Sequence, residues 1–173
     1  DTRDPLVPRG KQCPDLQSRG CDYPRTTGIW QTVWLEFVPK VYIKNFKLYP
    51  DYDNGIIAIS AVVEGEGEFT ASASYKGKAM GSFSKAAKST ITGEIKLDEI
   101  HLWEVGCGRL YDLELTFGED KVKSYFGLRN VKLDDYKFLI NGKSVFQRLV
   151  LDQGFYPDGI YTAPTDADLE KDI

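Results

Sequence analysis

The stretch YDLELTFGEDKVKSYF, residues 111–126, decides the fold. Tyr111, Leu113, Leu115 and Phe117 alternate with Asp112, Glu114 and Thr116. A period of two puts the apolar set on one face of a strand and the polar set on the other. The turn residues Gly118 to Asp120 follow, and Val122, Ser124 and Phe126 resume the alternation. Two such runs joined by a short polar turn predict an antiparallel hairpin.

The same pattern extends back to Val41. Val41 to Tyr49 reads as a strand, closed by Pro50 and the turn DYDNG. Ile56 to Val63 is apolar on both faces, as a central strand of a packed sandwich would be. Phe69, Ala71, Ala73 and Tyr75 alternate with Thr70, Ser72, Ser74 and Lys76. Ile91, Gly93, Ile95 and Leu97 alternate with Thr92, Glu94 and Lys96. Lys78, Lys85 and Lys88 mark the stretch between as a solvated loop or an edge strand, whose charges discourage further pairing. Six or seven short strands over about 90 residues predict an all-β, immunoglobulin-like sandwich.

The flanks differ. Residues 1–25 carry four prolines and read as loop. TTGIWQTVWLE, residues 26–36, alternates again, with Trp30 and Trp34 on one face, and predicts a strand that Pro39 ends. KFLINGKSV predicts a hairpin about Asn141-Gly142, because both residues tolerate positive φ. Phe146 to Leu151 reads as a short apolar strand, and DQGFYPDGIYTAP as a loop. TDADLEKDI predicts a helix start, with Thr165 as N-cap and Asp168 three residues on.

Composition narrows the function classes. The 173 residues are 42% hydrophobic and 13% aromatic, enough to fill a core. A net charge of -4 argues against nucleic acid as a partner, since phosphate binding needs a concentrated positive field. No apolar run approaches a membrane span. Three cysteines at irregular spacing, Cys13, Cys21 and Cys107, read as free thiols rather than a disulfide framework. The single histidine, His101, and the lack of a CxxC pair argue against zinc, and His101 reads as structural.

Three segments together resemble glycoside hydrolase family 2, the β-galactosidases, β-glucuronidases and β-mannosidases. TTGIWQTVWLE is similar to the last strand of that family's sugar-binding jelly-roll domain. LYDLELTF with SYFGLRNV resembles the closing hairpin of its immunoglobulin-like domain. The run from Phe138 to Ile173 resembles the opening of its (β/α)₈ catalytic barrel. The resemblance implies an internal segment of a larger enzyme. Residues 1–38 would be the end of the jelly-roll domain, 39–130 the sandwich, and 131–173 the start of the barrel. The parent would be a retaining glycosidase of the β-galactosidase type, cytoplasmic, using two glutamates about 5 Å apart and no cofactor. In the family the acid/base follows an asparagine. No Asn-Glu pair occurs in this chain, so the segment alone is expected to be inactive.

The resemblance also implies sugar contacts. Asp22 stands six residues before Gly28, where family members often carry an aspartate on a loop reaching the barrel mouth. Asp152 and Gln153 would sit at the C-terminal end of the first barrel strand, the end where barrel sites form. Phe155 and Tyr156 offer faces for stacking on a sugar or for packing. The expected partner is a carbohydrate substrate in the full-length enzyme, with homo-oligomerisation left open. The rival reading is a stand-alone β-sandwich module that binds glycans or proteins.

Overall fold

The computed structural model describes residue 4 and residues 6–29, 31–151, 156 and 162–173. They divide into two compact units: Asp1–Leu35 with Val150–Ile173, and Glu36–Leu149.

The larger unit is all-β. Seven strands run β1 (Tyr42–Asp51), β2 (Ile56–Glu64), β3 (Gly67–Tyr75), β4 (Lys78–Ala87), β5 (Thr90–Lys96), β6 (Tyr111–Phe117) and β7 (Asp120–Phe126). They form two antiparallel sheets, ordered β1-β2-β5 and β4-β3-β6-β7. This is an immunoglobulin-type sandwich in which the fourth strand pairs with the third rather than the fifth. β2 is the central strand of its sheet, as its two apolar faces predict. The lysine-bearing strand β4 lies at an edge.

Alternation sets the core. Ile57, Ile59 and Ala61 of β2, with Ile91 and Ile95 of β5 beside them, meet Phe69 and Ala71 of β3 and Leu113, Leu115 and Phe117 of β6 in one buried cluster. Where the sheets close on each other, Phe83 lies against Gly93 so tightly that a Cβ there would be 2.3 Å from its ring. On the opposite side the Asp120 carboxylate accepts the Ile43 N–H at 2.8 Å, so an edge amide of β1 is satisfied across the sheets.

Tyr111 opens β6 and is fully buried. Its hydroxyl donates to the Glu99 carbonyl at 2.8 Å and accepts the His101 N–H at 2.6 Å. A tyrosine at the start of the sixth strand bonding back to upstream backbone is a recurrent corner of immunoglobulin-type folds. Burial raises the Tyr111 pKa. Tyr75 stacks on His101 at 4.0 Å and Phe126 stacks on Tyr111 at 5.0 Å. His101 is a packed structural residue, its Nε2 3.0 Å from Glu99.

A third sheet follows in the same unit: β8 (Val131–Asp134), β9 (Lys137–Ile140) and β10 (Lys143–Ser144), ordered β10-β9-β8. Its turn is the one that Asn141-Gly142 predicts, with φ of 49° and 75°.

Two expectations fail. Across the described residues of 26–36 no strand forms, and Ile29, Val33, Trp34 and Leu35 are exposed. Phe146 to Leu151 likewise forms no strand, and Phe146, Leu149, Val150 and Leu151 are exposed. Both segments have strand-like side chains but no partner strand among the described residues, and a strand exists only as a member of a ladder. In the smaller unit the helix α1 (Asp166–Lys171) forms as expected. Thr165 is its N-cap: the hydroxyl oxygen accepts the Asp168 N–H at 3.3 Å and lies 2.7 Å from the Asp168 carboxylate. Cys13, Cys21 and Cys107 are all free, and Cys13 is buried.

Candidate functional site

Asp22 stands on a tightly tied loop. The Cys13 N–H donates to the Tyr23 carbonyl at 2.8 Å, and the Tyr23 N–H to the Lys11 carbonyl at 2.7 Å. The Gln12 side-chain carbonyl accepts the Thr26 N–H at 2.9 Å, and Arg25 donates to the Pro14 carbonyl at 3.3 Å. These bonds let a proline-rich stretch hold one shape without regular structure, around the buried Cys13. The Asp22 N–H donates to the Arg19 carbonyl at 3.2 Å, and Asp22 is half-buried. The Arg19 guanidinium pairs with Asp15 at 2.9 Å, the contact that does most to raise its pKa further, and Asp22 adds least. The two oxygens of the Asp22 carboxylate suit the acceptor role toward hydroxyls. Asp152, Gln153 and Phe155 lie outside the described residues, as does Trp30.

The smaller unit carries an open groove of about 580 Å³. Gln31, Thr32 and Trp34 line one part of it, and Thr162 to Asp166 with Leu169 line the other. It therefore joins the tryptophan run and the Thr-Ala-Pro-Thr run, both of which carry the family resemblance. Sequence reading singled out the two runs but not their meeting. Trp34 presents an exposed indole there beside neutral hydroxyl and amide groups. Among the described lining residues Asp166 is the single carboxylate.

A third group lies where the sandwich meets the hairpin sheet, and periodicity gives no sign of it. The connection between β5 and β6 carries Trp103 and Glu104. The Trp103 N–H donates to the Leu128 carbonyl at 2.9 Å, and Arg129 lies over the indole at 4.6 Å. Arg109 donates to the Leu102 carbonyl at 2.9 Å and lies 3.4 Å from Glu104. Lys143 of β10 reaches Glu104 at 3.1 Å. Lys143 first, then Arg109, holds the Glu104 carboxyl below its ordinary range. Among the described residues no three His, Cys, Asp or Glu side chains are placed to hold a metal ion, and no helix is long and apolar enough to cross a membrane.

The sandwich itself has a family. The model for glycosyl hydrolases family 2 matches residues 41–129, which span β1 to β7. The chain belongs to glycosyl hydrolases family 2. Solved structures agree at the level of the fold. A β-glucuronidase from Ruminococcus gnavus in complex with D-glucaro-δ-lactam is 19% identical with a TM-score of 0.52, over 63% of this chain and 19% of that one. The apo β-glucuronidase of R. gnavus is 18% identical with a TM-score of 0.60, over 78% of this chain and 23% of that one. A Lactobacillus rhamnosus β-glucuronidase is 20% identical with a TM-score of 0.50, over 63% of this chain and 19% of that one. This family 2 chain thus aligns with about a fifth of the length of those enzymes. No curated protein sequence matches it.

Proposed function

We propose that this chain is the architectural segment of a retaining family 2 β-glycosidase. It joins the end of a sugar-binding jelly-roll domain, residues 1–38, to the opening of a catalytic barrel, residues 131–173, through the sandwich of residues 39–130. The parent hydrolyses terminal β-glycosidic bonds and is of the β-galactosidase/β-glucuronidase type. The family match over the complete sandwich supports this reading, on a chain that aligns with a fifth of larger glycosidases.

The work of the segment is positional. It holds the loop of Asp22 toward the sugar, where the carboxylate accepts hydroxyl hydrogen bonds, with Asp152 and Gln153 at the mouth of the barrel. The two catalytic glutamates come from another part of the protein. Placement within about 1 Å matters, because an error of that size can cost around a hundredfold in rate.

The test compares this chain with the whole parent protein on aryl β-galactosides and aryl β-glucuronides. The parent turns over one of the two, and the difference names the sugar. The 173-residue chain turns over neither and, in calorimetry, binds neither free sugar. Turnover by the chain, or a parent inactive on every β-glycoside, rejects the reading. Tight glycan binding by the chain alone favours a stand-alone binding module instead.

A further inference from the structure

One side chain ties the hairpin sheet β8–β10 to the end of the sandwich. Asn141 occupies the first central position of the β9–β10 turn. Its Nδ2 donates to the Trp103 carbonyl at 2.9 Å, across 38 residues of sequence. Its Oδ1 accepts the Asn130 N–H at 3.0 Å, and its own N–H donates to the Asn130 carbonyl at 3.0 Å. A backbone acceptor on one side and a backbone donor on the other fix which amide atom faces which. Trp103 is itself held by its N–H bond to Leu128 and by Arg129 over its ring. One amide therefore joins the turn, the end of the sandwich and the connection between β5 and β6.

The residue type follows from this double task. The turn needs positive φ at both central positions, which Asn, Asp and Gly provide. Glycine would keep the turn and make neither side-chain bond. Aspartate would keep the acceptor for Asn130 but set a carboxylate oxygen against the Trp103 carbonyl, acceptor against acceptor. Among these three residues, only asparagine makes the turn and both bonds.

We propose that Asn141 is a positioning residue. It fixes the angle at which the hairpin sheet leaves the sandwich, and thereby the direction in which the chain runs on into the catalytic part. The anchoring rests on the geometry above; its catalytic consequence rests on the glycosidase reading. Lys143 and Glu104 assist, but that ion pair is exposed at the lysine end and weak.

Two measurements test it. Hydrogen exchange on the 173-residue chain reads the anchor. In Asn141→Gly, the Asn141 and Val145 amides, which bond to Asn130 and Phe138, exchange about tenfold faster or more, while amides of β3 and β6 keep their protection. Asn141→Asp behaves similarly although it keeps the turn and one bond. Unchanged hairpin exchange, or loss spread equally over β3 and β6, overturns the anchor. In the parent enzyme, Asn141→Gly lowers kcat tenfold to a hundredfold with KM within about twofold, the scale expected for a small misplacement. An unchanged kcat, or a loss confined to KM, overturns the positioning role. A wild-type parent without glycosidase activity removes the functional reading and the positioning role with it, and leaves the exchange result as a statement about the fold.

Discussion

Leu115 and Leu35 are the same residue in similar sequence company, and they end in opposite surroundings. Leu115 sits in the alternation of β6 and is 0% exposed. Leu35 sits in the alternation of residues 26–36 and is 88% exposed. The first has β3 and β7 on either side and the facing sheet above it. The second has no ladder among the described residues. Alternation is thus a statement about which faces a strand would have. It becomes structure only when a neighbouring strand takes the backbone hydrogen bonds and a second layer covers the apolar face.

The sharpest way to break that comparison is to truncate both leucines. Leu115→Ala should cost about 2–5 kcal/mol, through lost burial and the cavity left behind. Leu35→Ala should stay within about 0.5 kcal/mol, as exposed positions do. Denaturant unfolding of the two variants measures the difference. Equal losses would mean that the opening segment is packed as well as the core is.

Two glycines repeat the contrast on the backbone. Gly81 has φ of 132° and Gly28 has φ of 123°, a region that side chains seldom adopt. A Cβ on Gly81 would sit 2.6 Å from the Lys96 carbonyl, where β4 meets β5; one on Gly28 would meet nothing within 4 Å. Gly81→Ala should cost about 1–3 kcal/mol or more, since strain and clash add. Gly28→Ala should leave the unfolding midpoint of the sandwich in place, because an unpaired segment can relax its dihedrals. A Gly81→Ala midpoint equal to wild type would show that the sheets close loosely enough at Gly81 to admit a methyl group.

A smaller effect isolates a single pair of hydrogen bonds. Tyr111→Phe keeps the ring against Phe126 and removes the hydroxyl between the Glu99 carbonyl and the His101 N–H. The expected loss is about 1–3 kcal/mol, the range for unsatisfied buried partners. Faster exchange of the His101 amide, with β2 unchanged, would localise it. A neutral result would mean that water replaces the hydroxyl.

These positions also mark what was legible in the sequence. The sandwich strands were, because alternation and turn residues are local. The Asn141-Gly142 turn and the Thr165 cap were legible for the same reason: each needs only a few neighbouring residues. The hydroxyl of Tyr111 and the amide of Asn141 were not, since their partners lie 10 to 38 residues away and side-chain-to-backbone bonds leave no periodic trace. The run from Thr26 to Glu36 was misread as a formed strand because its pattern says nothing about whether a partner is present. Asp22 was legible only through spacing that resembles a family. The bonds that hold its loop depend on contacts of Lys11, Gln12 and Cys13 with Tyr23 and Thr26.

The smallest expected effect is electrostatic and again separates the two regions. In the sandwich unit Glu99 is held below its ordinary pKa first by Lys78 and then by His101, and Glu104 by Lys143 and then Arg109. A carboxyl whose folded pKa is depressed contributes stability above its unfolded pKa, and loses it as pH falls through the folded value. The sandwich should therefore weaken as pH drops below about 4, where unfolded glutamates take up protons. The pairs are exposed, so the change is modest. Replacing Glu99 and Glu104 together with glutamine should flatten this part of the pH profile, read as the thermal midpoint between about pH 6 and pH 3. The exposed Asp15–Arg19 pair of the opening loop serves as the control. Asp15→Asn should leave the profile of the sandwich unchanged, because that pair belongs to the other unit. A profile that keeps its full slope without Glu99 and Glu104 would move the acid sensitivity elsewhere, with Asp51, lowered by its bonds to Asn54, as the next carboxylate to replace.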